Sequence, residues 1–199
     1  MNKPESFLRV VDSVKKLPGI GSKSAEKIAY QILDLSDEDK ENLYTSIKNM
    51  VTTVKTCDVC GCLMDDEKCY MCNTLDRDGS IICVVDRIKD VYAIENTNNF
   101  KGLYHVLGGT ISPSKGVMPE DLRINELLNR ITMDVKEVIL ANSTGMDGET
   151  TAMFLAKYLS NKDVTISRLG YGMPMGSQLE YADEFTLTKA FESRRKMKD

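Results

Sequence analysis

Three observations predict an α/β multidomain protein: apolar residues at helical spacing in the first 55 residues, four of the six cysteines in two C-x-x-C pairs, and β-rich runs alternating with helical patterns from residue 80 onward. Alternation of that kind points to a parallel sheet with covering helices. With 199 residues and 42% hydrophobic content, the chain is long enough to bury a real core in one or two compact domains.

The first zone, residues 1–55, reads as three helices. Phe7, Val10, Val11, Val14 and Leu17 mark the first, and Pro18-Gly19-Ile20-Gly21 breaks it. Ser22 is the expected N-cap of the second, with Ala25, Ile28, Ala29, Ile32 and Leu33 on one face. Ser36, with Asp39 three residues later, opens the third, whose apolar row is Leu43, Ile47, Met50, Val51 and Val54. Three amphipathic helices of this size predict a small bundle.

The middle zone, 56–79, holds Cys57, Cys60, Cys69 and Cys72. Each C-x-x-C turns two sulfurs toward one ion, and the connector from Gly61 to Lys68 is long enough to fold the second pair back. The spacing predicts a four-thiolate site for one structural Zn2+ per chain, with no coordination position left open for hydrolysis. The alternative is two thiol pairs, reduced or disulfide-bonded. Cys62 follows Cys60 too closely to join the same tetrahedron, and Cys83 sits in the apolar run Ile81-Ile82-Cys83-Val84-Val85, so both read as ordinary residues. With few large apolar residues of its own, the zone needs metal to fold.

From residue 80, the strand candidates are 81–85, 103–107, 137–141 and 164–167, with helical segments near 122–131 and 149–159. Arg194-Arg195-Lys196-Met197-Lys198 reads as a basic tail. The expected domains are 1–55, 56–79, 80–175 and 176–199.

The net charge of −4 and a pI near 5.2 exclude indiscriminate nucleic-acid affinity. Charge is uneven, however. Residues 1–30 carry six basic side chains (Lys3, Arg9, Lys15, Lys16, Lys23, Lys27) against three acidic ones, so any polyanion would be met through that segment. Gly19 and Gly21 permit a tight turn with close backbone approach, after which a helix aims its unpaired N–H groups outward, a phosphate site. Lys23 and Lys27 share a face beside it, and Arg9, Lys15 and Lys16 extend it. Such contacts are independent of base sequence. The alternative is a plain helical corner with solvated lysines. The N-terminus has no apolar signal region and no stretch nears 18 apolar residues, so no membrane span is expected and a reducing cytoplasm is the expected location.

Leu17-Pro18-Gly19-Ile20-Gly21 resembles the helix-hairpin-helix of DNA-binding proteins. With the cysteine quartet, Ile82-Cys83-Val84-Val85, Gly102-Leu103-Tyr104-His105-Val106-Leu107-Gly108-Gly109, Ile111-Ser112-Pro113 and Leu179-Glu180-Tyr181-Ala182-Asp183-Glu184, nearly the whole chain resembles the RecR family of bacterial recombination mediators. The resemblance implies a helix-hairpin-helix, a four-cysteine zinc finger, a Toprim domain and a C-terminal Walker-B-like segment. It further implies ring-shaped tetramers that encircle DNA and work with RecO and RecF to load RecA on single strands coated by SSB.

Catalytically active Toprim domains place a Glu after the first strand and a D-x-D pair after a later one, which hold magnesium. Here Asp86 ends the first strand, one methylene short, with Asp90 beyond it, and Asn142-Ser143-Thr144-Gly145-Met146-Asp147-Gly148-Glu149 lacks the D-x-D. Asp147 and Glu149 stand where a helix begins, which capping explains. The resemblance implies that this acidic face contacts RecO, with Glu149 the foremost candidate. No phosphate loop accompanies Asp183 and Glu184, so a subunit-joining role is expected of them. His105 is the only histidine and is expected to pack at a strand end; the loop from Gly170 to Gly176 has no assigned role. The chain is thus expected to be a non-enzymatic clamp on single- and double-stranded DNA. The competing readings are a magnesium-dependent nuclease or topoisomerase using Asp86, Asp90, Asp147 and Glu149, and a zinc-stapled adaptor that binds only proteins.

Overall fold

Helix α1 (Glu5–Lys15) starts after Pro4, whose fixed φ suits a helix entry, and α2 (Ser22–Asp34) follows the hairpin turn. In the computed structural model, which describes residues 3–65, 69–72, 77–170, 173, 176–194 and 196, the chain divides into two compact units that meet at Val54 and Lys55. In the first unit, the small residues Ala25 and Ala29 are buried and Phe7 packs on Tyr30 with ring centroids 4.7 Å apart. Ser36 caps α3 (Asp37–Thr53) as its sequence predicts, its Oγ accepting the Asp39 N–H at 3.1 Å. The apolar row of α3 is not covered within this unit: Leu43 is 37% exposed and Val51 72%. The second helix begins one residue earlier than expected. Ser22 is its first helical residue and Gly21 its cap, with no side chain bonded to the first-turn N–H groups.

The second unit opens with a short antiparallel hairpin, β1 (Lys55–Thr56) and β2 (Leu63–Met64), which holds the first C-x-x-C at its tip. Its body is a four-stranded parallel sheet in the order β4-β3-β5-β6, built from β3 (Asp78–Val85), β4 (Gly102–Val106), β5 (Glu137–Leu140) and β6 (Thr165–Arg168). Helices α4 (Ile88–Glu95), α5 (Ile124–Arg130) and α6 (Met146–Leu159) join the strands, and α7 (Glu184–Glu192) follows. Strand β3 is flanked on both sides, which is why Ile82 to Val85 form an unbroken buried run.

Alternation along β3 divides the interior in two. Ile82 and Val84 face a core with Leu127, Val138, Leu140, Leu155 and Leu159. Cys83 and Val85 face a second core with Val91, Tyr104 and Val106, which also contains Cys57, Cys60, Cys62 and Cys69. The cysteine segment, too small for a core of its own, shares that of the sheet. Tyr171, Gly172, Pro174 and Met175 of the unassigned loop, and Arg195, Met197 and Lys198 of the basic tail, lie outside the described residues. Among the described residues, no helix is long and apolar enough to cross a membrane.

Candidate metal centre and nucleic-acid interface

The hairpin tip is a turn closed by two backbone bonds, Gly61 N–H to the Cys57 carbonyl and Cys57 N–H to the Cys62 carbonyl, both 2.8 Å. This turn aims Cys57 and Cys60 inward against the second pair. The four sulfurs of Cys57, Cys60, Cys69 and Cys72 lie within 4.8 Å of one another, with Cys60–Cys69 at 3.4 Å and Cys57–Cys72 at 3.7 Å. A tetrahedral ion with metal–sulfur bonds of about 2.3 Å sets its sulfurs about 3.8 Å apart, so the cluster has the size of a four-thiolate metal site. Those separations are far from the S–S bond of about 2.05 Å that the disulfide alternative needs, and all four are free thiols. The donor set is soft and suits ions such as Zn2+.

The protons on these sulfurs are unequally held. Hydrogen bonding from the Cys62 thiol, foremost, holds Cys60 well below the ordinary thiol range, against the opposing effect of burial. Burial foremost raises Cys69 and Cys72. An arriving ion must displace the protons of the latter two, which ties metal affinity to pH.

The centre is bolted to the edge of the sheet. Val106 N–H, on edge strand β4, donates to the Cys60 carbonyl at 2.8 Å. Gly61 takes φ +75°, and a Cβ there would lie 2.7 Å from the Val106 carbonyl oxygen, so only glycine fits between knuckle and strand. From the turn before α5, the Arg123 guanidinium donates to the Cys57 carbonyl at 3.4 Å and also to the Asp58 carbonyl. Beyond the second pair, Arg77 donates to the Gly102 carbonyl at 3.0 Å and pairs with Glu95, which accepts the Tyr104 hydroxyl at 2.6 Å. A paired edge is also one protected from pairing with another chain.

At the hairpin turn of the first unit, Gly19 has φ +85° and nothing lies within 4 Å of the Cβ position of Gly19 or Gly21. Backbone there is open to close approach. The uncapped start of α2 leaves its first-turn N–H groups available, and Lys23 and Lys27 are exposed with no ion pair among the described residues. Lys16 is likewise exposed and unpaired, whereas Arg9 pairs with Glu5 at 2.7 Å and Lys15 lies 3.6 Å from Asp12. The turn thus presents an N-terminal dipole flanked by free lysines, an arrangement suited to phosphate.

The acids at the carboxyl end of the sheet are all engaged. Asp86 is buried, accepting the Asn142 side-chain amide at 2.7 Å and the Ser143 N–H at 2.8 Å. Asp90 accepts the Arg87 N–H at 2.9 Å and caps α4. Lys115 sits 2.8 Å from Asp147 and foremost holds that carboxyl below its usual range; Arg168 lies 2.6 Å from Glu149. Each carboxylate that would hold magnesium in the enzymatic reading has a protein partner instead. Asp183 caps α7, its carboxylate accepting the Thr186 N–H at 2.9 Å and the Thr186 hydroxyl at 2.7 Å, while Glu184 is exposed in the first turn.

His105 is fully buried in β4. Burial foremost lowers its pKa to about 4, its Nε2 bonds the Arg123 carbonyl at 2.7 Å, and Arg130 approaches Nδ1 at 3.3 Å. It is a neutral bridge from β4 to Arg123 and Arg130 at the two ends of α5. Sequence reasoning missed Arg123, Arg168 and Lys115, whose partners are distant along the chain. Gly61 carried a local signal, a glycine directly after a C-x-x-C.

Three family descriptions match the chain, in order and without overlap: "RecR, helix-hairpin-helix" over residues 8–51, "Toprim domain" over 80–170, and "RecR, C-terminal" over 172–195. The unmatched interval between the first two contains the cysteine cluster.

Proposed function

The chain belongs to the RecR family, and on that premise we propose that it is a non-enzymatic DNA clamp, a recombination mediator that helps RecO and RecF load RecA on SSB-coated single strands during DNA repair. The observation that carries the reading is the hairpin turn: open glycines, an uncapped helix start, and exposed Lys23 and Lys27 with no ion pair among the described residues. Lys16, Arg9 and Lys15 widen this phosphate-binding surface to single- and double-stranded DNA. Four thiolates hold one structural Zn2+ per chain, with no position open for substrate.

A few phosphate contacts per subunit bind weakly, and a homotetrameric ring multiplies them through effective concentration. The exposed apolar row of α3, and Phe185 and Phe191 of α7, exposed at 50% and 68%, support assembly. In this reading residues 1–55 bind DNA, 56–79 form the zinc finger, 80–175 the Toprim body, and 176–199 the subunit-joining segment, all in the cytoplasm. The engagement of Asp86, Asp90, Asp147 and Glu149 by protein partners supports a scaffold in preference to a magnesium site, with Glu149 at the surface met by RecO.

The test is the Lys23→Glu, Lys27→Glu double variant. It is expected to lose DNA retention while keeping the wild-type zinc content and solution mass. Unchanged retention in a folded double variant would leave the protein-only adaptor reading in its place.

A further inference from the structure

Residues 1–30 carry three acids, and each is paired with a base of the same segment: Glu5 with Arg9 at 2.7 Å, Asp12 with Lys15 at 3.6 Å, and Glu26 with Lys3. The bases left over are Lys16, Lys23 and Lys27, which bracket the hairpin turn and have no ion pair among the described residues. Two of the pairs lie within α1, between neighbouring turns. The third joins residues 23 positions apart.

Glu26 has a nearer base within reach. Lys23 precedes it by three residues on α2, a spacing at which helical side chains meet. Glu26 is also the one acid between Lys16 and Ala29, so a carboxylate left without Lys3 would take up Lys23 and repel an incoming phosphate. Lys3 is held against it from two helices. Its ammonium lies over the rings of Phe7 on α1 and Tyr30 on α2, 5.7 and 5.8 Å from their centroids, and the two rings pack on each other. Tyr30 follows Glu26 by four residues, so a cation beside that ring draws the carboxylate toward the next turn of α2 and away from Lys23.

Resting on the hairpin turn as the phosphate-binding surface, we infer that Lys3 is a positioning residue of that surface: by engaging Glu26 it keeps the carboxylate off Lys23, which then meets phosphate with no internal partner to displace. Lys3 acts on DNA through Glu26 and makes no phosphate contact of its own. With the two side chains 38% and 41% exposed, the pair adds little to stability, so its loss is read in binding and not in folding.

The experiment is a double-mutant cycle in the full chain: Lys3→Met, which keeps an apolar stem over the two rings, Glu26→Gln, and both together, with Lys3→Arg as the conservative variant. Affinity for a DNA duplex at low salt is read for each, as is the acetylation rate of the Lys23 amine without DNA, which an ion pair slows. Lys3→Met alone is expected to weaken binding about 2- to 5-fold for each engaged subunit and to slow acetylation of Lys23. With Glu26→Gln already present, the same change is expected to alter neither, and Lys3→Arg stays close to wild type. Equal losses of affinity in both backgrounds would make Lys3 a phosphate contact in its own right, and no loss in either, or unchanged Lys23 acetylation in Lys3→Met, would mean that Glu26 does not turn to Lys23; each of these overturns the inference. If Lys3→Met does not fold, the wild type decides: acetylation of Lys23 ahead of Lys3 supports the inference, and the reverse order overturns it. Unchanged DNA retention in Lys23→Glu, Lys27→Glu is a different result, which rejects the hairpin turn as the DNA site and is read without touching Lys3 or Glu26.

Discussion

The Cys60 carbonyl accepts the Val106 N–H at 2.8 Å, so a cysteine of the candidate metal centre and the edge strand of the sheet share a backbone hydrogen bond. Gly61 sits in that contact with φ +75°, leaving no room for a Cβ. Gly61→Ala incurs left-handed strain of about 1–2 kcal/mol in addition to a steric clash with the Val106 carbonyl. The variant is expected to lose more than about 2 kcal/mol in urea unfolding and to purify with less zinc. Wild-type stability and zinc content would mean that the knuckle does not seat on β4.

Arg123 clamps the same knuckle from the other side through the Cys57 and Asp58 carbonyls. Arg123→Met keeps part of the aliphatic stem and removes the donors, for an expected cost of about 1–3 kcal/mol. The sharper readout is zinc transfer to a chromophoric chelator, expected to be faster in the variant. A lysine is not expected to restore it, because one ammonium does not reproduce the fork.

His105 is neutral in the folded state with a pKa of about 4, against 6.5 when unperturbed. The unfolded chain therefore binds more protons between those values, and this contribution is complete above pH 6.5 and lost as pH falls toward 4. The shift corresponds to about 3 kcal/mol. Thiolate protonation adds its own slope in acid, so the comparison is with His105→Leu: between pH 6.5 and 4, stability of the wild type is expected to fall more steeply than that of the variant. Equal slopes would place an ionised histidine in the fold.

Magnesium at millimolar concentration is expected to leave the melting temperature unchanged and supercoiled plasmid intact, since Asp147 and Glu149 already face Lys115 and Arg168. Nicking that requires magnesium and disappears in Asp86→Asn would revive the enzymatic reading.

The sheet was legible in the sequence because a buried parallel strand needs a continuous apolar run: segment 81–85 falls inside β3, and the other three strands start within one residue of expectation. Helix α4 was not anticipated, since Arg87, Lys89 and Asp90 dilute its apolar spacing, and neither was α7, where Asp183 acts as a cap. The two-residue strands β1 and β2 are too short to carry any period. Cysteine spacing disclosed the quartet but not its seat on β4, because Arg123 and Val106 reach the knuckle from 46 or more residues away. Ser22 passed for a cap on residue type alone, while Gly21 holds the position and leaves the helix start open.

The most direct measurement of the central claim is the dependence of DNA affinity on salt, for the wild type and for Lys23→Ala, Lys27→Ala. On a duplex, each neutralised phosphate contributes about 0.9 to the slope of log K against log salt. The account predicts a steep wild-type slope that falls by about 1.8 for each engaged subunit in the double variant, with zinc content unchanged. An identical slope in both proteins would show that the hairpin turn is not where the chain holds the phosphate backbone.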